Sequence, residues 1–336
     1  MAMNNKVIIG PFPPPYHGSS ILAKELSQKL HTRKIQSSIL TQKNIFFALI
    51  NLFSSILMLK EKKVIIFTAS RLLGKIRDTL IIFLLLFRKR NVFVYIHNNP
   101  FYDESFFGRI LFFFSKYLTS IFSYESNEYN YLKKHNRNIK IIYNMIPDEE
   151  LIVEKTEKKK SSKKIKFIIC SHIIEFKNVE NSIELVVKSN LNYTIDVIGS
   201  YNSNYGMKVF QKYKNSPNIN FHGEVYGNKK IQLLKNSDIL IHLSLNEEFP
   251  LIQIECLGIG LPFISYINVG GIKQVLSKRI GNLFLHEINY LNEKTFGGVI
   301  KNILLAKNIA PEMQEIFQKN FSTDRMIKEF KKLGFV

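Results

Sequence analysis

Residues 239–265, ILIHLSLNEEFPLIQIECLGIGLPFIS, decide the fold of this chain. The segment begins with a short apolar run, 239–243, which has the length and composition of a buried strand. A helix is predicted over 250–259, and a second apolar run follows at 262–265. Two buried strands joined by a helix form a βαβ unit, whose strands lie parallel in one sheet. The segment therefore predicts an α/β fold.

The same alternation of short strands and helices extends along most of the chain. It pauses in a charged segment near 147–164 and then restarts. The other predicted strands cover 6–9, 37–40, 63–68, 91–97, 120–123 and 139–143 in the first half, and 166–170, 193–198 and 219–222 in the second; the last helical segments are predicted over 293–306 and 310–333. We therefore expect an α/β chain of two Rossmann-like, doubly wound domains that face each other across a cleft.

The charged segment sets the predicted domain boundaries. We predict an N-terminal domain over 1–147 and a solvated linker over 148–164, because the linker is rich in charge and poor in apolar periodicity. The C-terminal domain is predicted over 165–315, and residues 316–336 are predicted as a helix that packs back towards the N-terminal domain. An exposed loop within one domain is the alternative interpretation of the charged segment.

The charge of the chain is large and uneven. Lys and Arg number 47 against 27 Asp and Glu, so the net charge is +20. Residues 1–147 hold 21 basic and 7 acidic side chains, whereas residues 148–336 hold 26 and 20. Such an excess favours a polyanionic partner: nucleic acid, an anionic membrane face or a phosphorylated substrate. An AT-rich genome is the alternative explanation of the total, but it does not account for the asymmetry.

Composition also bears on the compartment. Two cysteines, Cys170 and Cys256, are too few for a disulfide framework and lack metal-site spacing. No signal peptide is recognisable, and the longest apolar run, 45–59, is shorter than the roughly 20 residues of a membrane-spanning helix. We therefore expect a cytoplasmic protein.

Residues just beyond predicted strands are the first candidates for ligand binding, because doubly wound sheets bind ligands at the carboxyl ends of their strands. Gly18 lies in GPFPPPYHGSS (10–20), where a helix N-terminus offers N–H groups to a phosphate. His97 ends a strand and can hydrogen-bond a ligand hydroxyl or carbonyl. Lys177 suits a diphosphate as a point charge. Each has a structural alternative: a proline-rich turn, a structural histidine, and one lysine among many.

Glu247 and Glu255 form the most informative pattern. Glu247 lies in the loop after the strand 239–243, and Glu255 lies on the next helix. Backbone N–H groups of the loop and first helical turn would stand beside two carboxylates, which accept hydrogen bonds from sugar and ribose hydroxyls. The alternative is a solvent-facing acidic helix start, which the helix dipole favours in any case.

Taken in order, these segments resemble the retaining GT-B glycosyltransferases of family 4 (glycosyl transferases group 1) over nearly the whole chain. The PPPYHG motif (13–18) resembles that of the family branch common in bacterial surface-polysaccharide gene clusters. The other motifs that carry the resemblance are His97, YNMI (143–146), SHIIEFKN (171–178), DVIG (196–199), INFHG (219–223), SDI (237–239), the E-x7-E element from Glu247 to Glu255, and GLPFI (260–264) with Gly270 and Gly271.

Five residues depart from the family pattern. Ser19 replaces a glycine of the first loop, and Asn178 and Glu248 each replace a glycine in a later motif. Pro250 removes one backbone donor. His172 stands where the family has Arg, and this weakens half of an Arg/Lys clamp on the diphosphate, because histidine is not fully charged near neutral pH.

The resemblance implies a role for each candidate. Glu255 would bind the ribose and Glu247 the donor sugar. Lys177, helped by His172, would stabilise the departing diphosphate, and His97 would contact the donor sugar at its reacting face. As a set, the implied catalytic residues are Glu247, His97 and Lys177, and the implied donor-binding residues are Gly18, Ser19, His172, Lys177, Gly199, Glu247, Phe249, Leu251 and Glu255.

The implied reaction transfers a sugar from a nucleotide-diphosphate sugar to a glycan acceptor with retention. A UDP-sugar is the expected donor, and GDP is the alternative. No Asp-x-Asp motif is present, so neither a divalent metal nor a cofactor is expected. Catalysis would depend on positioning and on electrostatic stabilisation of the leaving group.

The N-terminal domain would carry the acceptor side. Its apolar stretches, 80–87 and 110–114, are flanked by basic residues, a pattern that suits a peripheral seat on an anionic leaflet. These residues are Lys75, Arg77, Arg88, Lys89, Arg90 and Arg109. We therefore expect a lipid-diphosphate-linked acceptor, a location on the inner face of the plasma membrane, and a role in O-antigen or capsule synthesis. Ordinary core helices are the alternative.

Other functions fit the sequence less well. A nucleic-acid-binding protein is disfavoured because no reading motif accompanies the basic residues. GT-B-like phosphorylases and sugar epimerases lack this ordered set of motifs. A catalytically degenerate GT-B protein that serves as a binding or scaffold subunit at the membrane is the main alternative, because of His172.

Overall fold

The computed structural model describes residues 5–13, 18–37, 45–69, 72–96, 102–147, 151, 164–268 and 270–335, with the backbone alone for 45–48. The chain divides into two compact units. The first unit comprises Met1–Met145 and Thr323–Val336, and the second comprises Ile146–Ser322. Most of the predicted linker, 148–164, lies outside the described residues.

The first unit is built on a parallel sheet of six strands in the order β2-β1-β3-β4-β5-β6. The strands are short and rich in Val, Ile and Phe, as expected where both faces of a parallel sheet are covered. They are β1 Lys6–Gly10, β2 Arg33–Gln36, β3 Lys63–Phe67, β4 Asn91–Ile96, β5 Thr119–Phe122 and β6 Ile139–Ile141.

Helices cover both faces of this sheet. Successive strand residues point to opposite faces, so Val7 and Ile9 lie in one core and Ile8 in another. The helices are α1 Gly18–Lys29, which contributes to the core of Ile8, and α2 Ile45–Leu57, α3 Leu72–Phe87, α4 Phe106–Phe114 and α5 Asn127–Lys134, which contribute to the other. No helix in the described part of the chain is long and apolar enough to cross a bilayer.

The second unit has the same plan. Its parallel sheet has the order β12-β11-β10-β7-β8-β9. The strands are β7 Ile165–Cys170, β8 Tyr193–Ile198, β9 Ile219–Gly223, β10 Ile239–His242, β11 Phe263–Tyr266 and β12 Leu285–His286, and the helices are α6 Val179–Val187, α7 Asn204–Tyr213, α8 Gly227–Lys235, α9 Leu251–Ile259, α10 Lys278–Phe284, α11 Phe296–Leu305 and α12 Ile309–Asn320. The predicted α/β class with two Rossmann-like domains is confirmed.

The last helix, α13 Thr323–Lys332, belongs to the first unit. Met326, Phe330 and Phe335 lie in the core that contains Ile8, and the Phe335 ring meets the Phe93 ring edge to face at 5.5 Å. The predicted terminal segment, 316–336, therefore divides: residues up to 322 remain with the second unit.

Two predicted elements differ from the structure. The second strand of the described residues is Arg33–Gln36, before the predicted 37–40, of which residues 38–40 lie outside the described part of the chain. It begins there because α1 ends at Lys29 and His31, with φ 50°, turns the chain directly into the strand. Of its side chains only Ile35 is buried, so the apolar signal is weak. The helix predicted over 310–333 is two helices, α12 and α13. Phe321, which is fully buried, leaves helical geometry between them with φ −124°.

Candidate functional site

The strand order of the second sheet reverses between β7 and β10. β8 and β9 lie on one side of β7, and β10, β11 and β12 lie on the other. Doubly wound folds bind ligands at such a switch point, outside the carboxyl ends of the strands. The candidate site is therefore built from the two segments that follow β7 and β10.

Hydrogen bonds join these two segments. The Leu245 N–H donates to the Phe176 carbonyl at 2.7 Å. The buried Ser244 hydroxyl donates to the same carbonyl at 3.2 Å and lies 3.4 Å from a carboxylate oxygen of Glu247. The 3-10 turn Glu175–Lys177 is thereby held against the loop that carries Glu247.

Asn178 ends this turn in the left-handed conformation, with φ 54° and ψ 36°. Glycine and asparagine adopt this region most readily. Asn178 can therefore hold the left-handed backbone that ends the turn carrying Lys177 without a glycine at this position.

Lys177 and Glu247 form an ion pair in which Nζ donates to Oε2. Their side chains are 15% and 22% exposed, so the pair is partly accessible to solvent. An ammonium group attracts a diphosphate, and a carboxylate accepts hydrogen bonds from hydroxyl groups. The structure therefore places Lys177, which was predicted to stabilise the diphosphate, in contact with Glu247, which was predicted to bind the sugar of the same donor.

A buried polar cluster lies close to this pair. Gln253 Nε2 donates to His242 Nδ1 at 3.0 Å and to Ser265 Oγ at 2.9 Å. Burial, and to a lesser extent the charge of Lys177, lowers the pKa of His242 to about 3. His242 is therefore neutral over the physiological range. The sequence analysis missed it, although a histidine inside the apolar run ILIHL is a signal that could have identified it.

Glu255 lies on α9 and is almost fully buried. Its Oε1 accepts a hydrogen bond from Lys230 Nζ at 2.6 Å. Its Oε2 is buried and has no hydrogen-bond partner among the described residues. A buried acceptor without a partner costs about 1–3 kcal/mol, so a hydroxyl donor at Oε2 would recover part of that free energy. Lys230, from α8, was also missed, because nothing in the sequence connects it to Glu255.

Gly199 sits where β8 passes the end of β7. Its φ is +142°, and a Cβ atom there would lie 1.8 Å from the Ser171 carbonyl oxygen. Only glycine fits this approach.

The adjacent His172 is about half exposed, and its Nδ1 lies 3.9 Å from an oxygen of Glu224. The carboxylate nearest to His172 is thus Glu224 rather than the one that pairs with Lys177.

The loop before α9 is held by the Gly270–Gly271 segment. The Gly271 N–H donates to the Glu248 carbonyl at 2.6 Å, and a Cβ atom on Gly270, with φ +70°, would lie 2.2 Å from that oxygen. Phe249, which was predicted to bind the donor, has its side chain buried 5.7 Å from the Phe321 ring, so its backbone is the part left to serve a donor. Leu251 is the first residue of α9 and is partly exposed.

The remaining predicted donor-binding residues belong to the first unit. Gly18 and Ser19 are the first two residues of α1, as the sequence predicted for a helix N-terminus. His97 lies outside the described residues.

The basic residues expected at a membrane divide into three groups. Lys75 is buried and paired with Asp103, and Arg77 is paired with the fully buried Asp78. Both are structural, and their assignment to a membrane surface is wrong. The guanidinium groups of the partly exposed Arg88 and Arg90 donate to the Leu59 carbonyl, whereas Lys89 and Arg109 are exposed.

Within the described ranges, no group of three or more His, Cys, Asp or Glu side chains is arranged to hold a metal ion.

Comparisons with known proteins agree on fold. With HepE of Anabaena in complex with UDP-glucose, the TM-score is 0.74 at 13% identity, over 98% of this chain and 100% of that chain. With sucrose-phosphate synthase of Thermosynechococcus elongatus it is 0.75 at 13% identity, over 98% of each chain. With the lipopolysaccharide outer core galactosyltransferase WaaB it is 0.64 at 14% identity, over 98% and 99%. At these identities the likeness is one of fold, the GT-B arrangement of two Rossmann-like domains.

The sequence comparisons address the family. No curated protein matches the chain significantly. Residues 152–320, just over half of the chain, match the family model of the group 1 glycosyl transferases, and they include both segments of the candidate site. The chain therefore belongs to the group 1 glycosyl transferases.

Proposed function

We propose that this chain is a retaining glycosyltransferase of the family 4 type that transfers a sugar from a UDP-sugar to a lipid-diphosphate-linked glycan. The transfer takes place on the cytoplasmic face of the plasma membrane, in surface-polysaccharide synthesis. The observation that carries the proposal is the contact of Lys177 with Glu247 at the switch point. It is accompanied, on the helix that follows, by a buried oxygen of Glu255 that has no hydrogen-bond partner among the described residues.

The comparisons support the donor class. HepE binds UDP and UDP-glucose, and WaaB is a galactosyltransferase of the lipopolysaccharide outer core. The chain's own residues fit a UDP-sugar. A ribose hydroxyl would donate to the unsatisfied Oε2 of Glu255, and Lys177 would hold the diphosphate as Glu247 turns to the sugar hydroxyls.

The proposed reaction breaks the bond between the anomeric carbon and the β-phosphate oxygen. The bonding electrons leave with UDP, and Lys177 stabilises the developing charge. The acceptor hydroxyl forms the new bond on the same face of the sugar, and its proton passes to the departing phosphate oxygen. The products are UDP and the extended glycan, so the reaction balances without a nucleophile from the enzyme and without a metal.

Calorimetry with UDP-, GDP- and dTDP-sugars, without added metal, tests the donor assignment. We expect selective binding of one UDP-sugar. Glu255→Gln should weaken that binding, because the amide can present nitrogen in place of one carboxylate oxygen. Glu293→Gln is the matched control, because Glu293 is an exposed acid of the same unit, paired with Lys188.

Turnover of the donor separates the enzyme from its main alternative. Glu247→Ala should abolish sugar transfer and donor hydrolysis, and NMR of the product should show the donor's anomeric configuration. Binding of a UDP-sugar with no turnover in the wild type would favour the scaffold function. Failure to bind any donor would refute the donor assignment.

A further inference from the structure

Helix α3 presents a second apolar face in addition to the one in the core. Leu72, Leu80, Phe83 and Phe87 lie on one side of the helix at helical spacing, and all four are exposed, Phe87 by 78%. The side that packs on the sheet carries its own set of buried residues. An ordinary surface helix of a sheet protein places polar residues where these four stand, so packing on the sheet does not explain them.

Helix α4 adds aromatic residues beside this face. Phe106 and Phe113 lie on α4 at helical spacing, and Tyr117 follows just beyond its end; the three side chains are 72%, 53% and 61% exposed. The two helices meet at Phe83 and Phe114, whose rings are 6.2 Å apart. We call the exposed rings Phe83, Phe87, Phe106, Phe113 and Tyr117 the aromatic face.

A hollow of about 450 Å³ opens beyond the carboxyl-terminal end of α3. Phe83, Phe87, Phe114 and Tyr117 line it together with two cationic side chains, Lys89 and Arg90. The hollow thus combines aromatic rings, which suit the apolar layer of a membrane interface, with cations, which suit its charged layer.

The exposed charge around the aromatic face is mostly positive, although the exposed Glu104 lies two residues before Phe106. Lys89, Arg109 and Lys116 are exposed, and the Lys116 ammonium lies 5.6 Å from the centre of the Phe113 ring. In the described ranges 72–96 and 105–118 the single acidic residue is Asp78, which is fully buried.

This combination argues for one occupant. A second copy of the chain would place Lys89, Arg109 and Lys116 against like charges, and in the described ranges 72–96 and 102–118 Glu104 is the one exposed acid that could pair with them. An anionic bilayer instead offers phosphates to all three cations and an interface to the rings. We propose that the aromatic face docks on the surface of an anionic membrane, with its rings in the interfacial layer and Lys89, Arg109 and Lys116 at the lipid phosphates.

This surface deepens the proposed function, since it would bring the enzyme to a lipid-linked acceptor. Its test needs neither donor nor acceptor. A chain that binds vesicles but no UDP-sugar would refute the donor assignment and leave the docking surface standing. A chain that binds a UDP-sugar but no vesicles would refute the docking surface and the membrane location and leave the donor assignment standing.

The chain contains no tryptophan, so one introduced indole reports on one place. Phe87→Trp puts the probe on the aromatic face, and Tyr226→Trp puts it on a half-exposed aromatic position of the second unit. With phosphatidylglycerol vesicles, the emission of Phe87→Trp should shift to the blue and that of Tyr226→Trp should not. Neither should respond to phosphatidylcholine vesicles at physiological salt.

Charge reversal supplies a second measurement. Lys89→Glu with Lys116→Glu should weaken co-sedimentation with phosphatidylglycerol vesicles at least 25-fold, about fivefold for each lysine lost. Lys208→Glu with Lys229→Glu changes the net charge equally at exposed positions of the second unit, and it should have a much smaller effect. Thermal melts of the two tryptophan variants and the two charge-reversal variants verify that they are folded.

Three results would overturn the proposal. The first is vesicle binding with no change at Phe87→Trp, which would assign binding to another surface. The second is a blue shift that grows with protein concentration without vesicles, which would assign the face to a second copy. The third is equal or negligible binding to anionic and neutral vesicles.

Discussion

Acid should destabilise the second unit through one buried imidazole, His242. It is enclosed beneath the candidate site, accepts a hydrogen bond from Gln253 and has a pKa of about 3. The unfolded chain restores an ordinary histidine pKa of about 6.5. The native pKa is the lower one, so the contribution to stability is complete above about pH 6.5 and is lost as the pH falls towards 3.

The size of the effect follows from this difference in pKa. At pH 7 the imidazole is mainly neutral in both states. At pH 5 it is neutral in the native state but mostly protonated in the unfolded one, and this removes about 2 kcal/mol from the free energy of unfolding. For a urea slope of roughly 2 kcal/mol per molar, the midpoint falls by about 1 M between pH 7 and pH 5.

Urea unfolding followed by circular dichroism at pH 7 and pH 5 measures this loss. His242→Asn keeps an acceptor near the position of Nδ1 but removes the titration, so its loss should be about 2 kcal/mol smaller than that of the wild type. Lys177→Met should reduce the loss by a smaller amount, because the charge of Lys177 is the lesser cause of the lowered pKa. His135→Asn, at an exposed site of the first unit, is the control. If His242→Asn and the wild type lost the same free energy, the reasoning would be refuted.

Three further substitutions test the site and the corrected surface. Lys177→Met should lower kcat/KM about 100- to 1000-fold, the usual loss when one charge-stabilising group is removed; a loss below tenfold in steady-state assays would exclude a role in leaving-group departure. Gly199→Ala should lower the free energy of unfolding in urea by more than about 2 kcal/mol, because its Cβ atom meets a carbonyl oxygen. Gly223→Ala, at a position with φ +66° and open space, should lower it by only about 1 kcal/mol. Equal losses would contradict the close approach at Gly199. Arg77→Gln should lower the free energy of unfolding by about 3 kcal/mol, because it removes the cationic partner of the buried Asp78 carboxyl group, which keeps the Ala69 N–H as a donor. Arg109→Gln should change it by less than about 0.5 kcal/mol; thermal and urea melts that rank the two the other way would restore Arg77 to the surface.

The alternation of strands and helices could be predicted because a parallel sheet covered on both faces requires short, continuous apolar runs. Residues 7–9, 64–67 and 239–241 are such runs, and the structure has a strand at each. The strand Arg33–Gln36 is an edge strand with one buried side chain, so its sequence carries little of this signal.

Part of the site could also be predicted. Lys177 and Glu247 each follow a strand, and the rule that ligands bind at strand ends applies to both. Their contact could not be predicted, because 70 residues separate them and strand order alone makes β7 and β10 neighbours. Lys230 and His242 escaped notice because their importance comes only from a partner on another element.

The basic residues of the first unit show the same limit. Sequence spacing treats Lys75 and Lys89 alike, since both flank apolar stretches of one helix. The structure buries Lys75 against Asp103 and leaves Lys89 exposed at the rim of an aromatic hollow. The direction of a side chain on its helix, and the element that packs there, decide between an internal ion pair and a surface charge.

The sequence by itself determined the α/β class, the division into two similar halves and the family, because these depend on local periodicity and on motifs whose order is written in the chain. The tertiary structure alone decided which cations are buried, which glutamate oxygen lacks a partner and which apolar side chains stay exposed. Each of these depends on contacts between residues far apart in sequence, and such contacts exist only after the sheets and helices have packed.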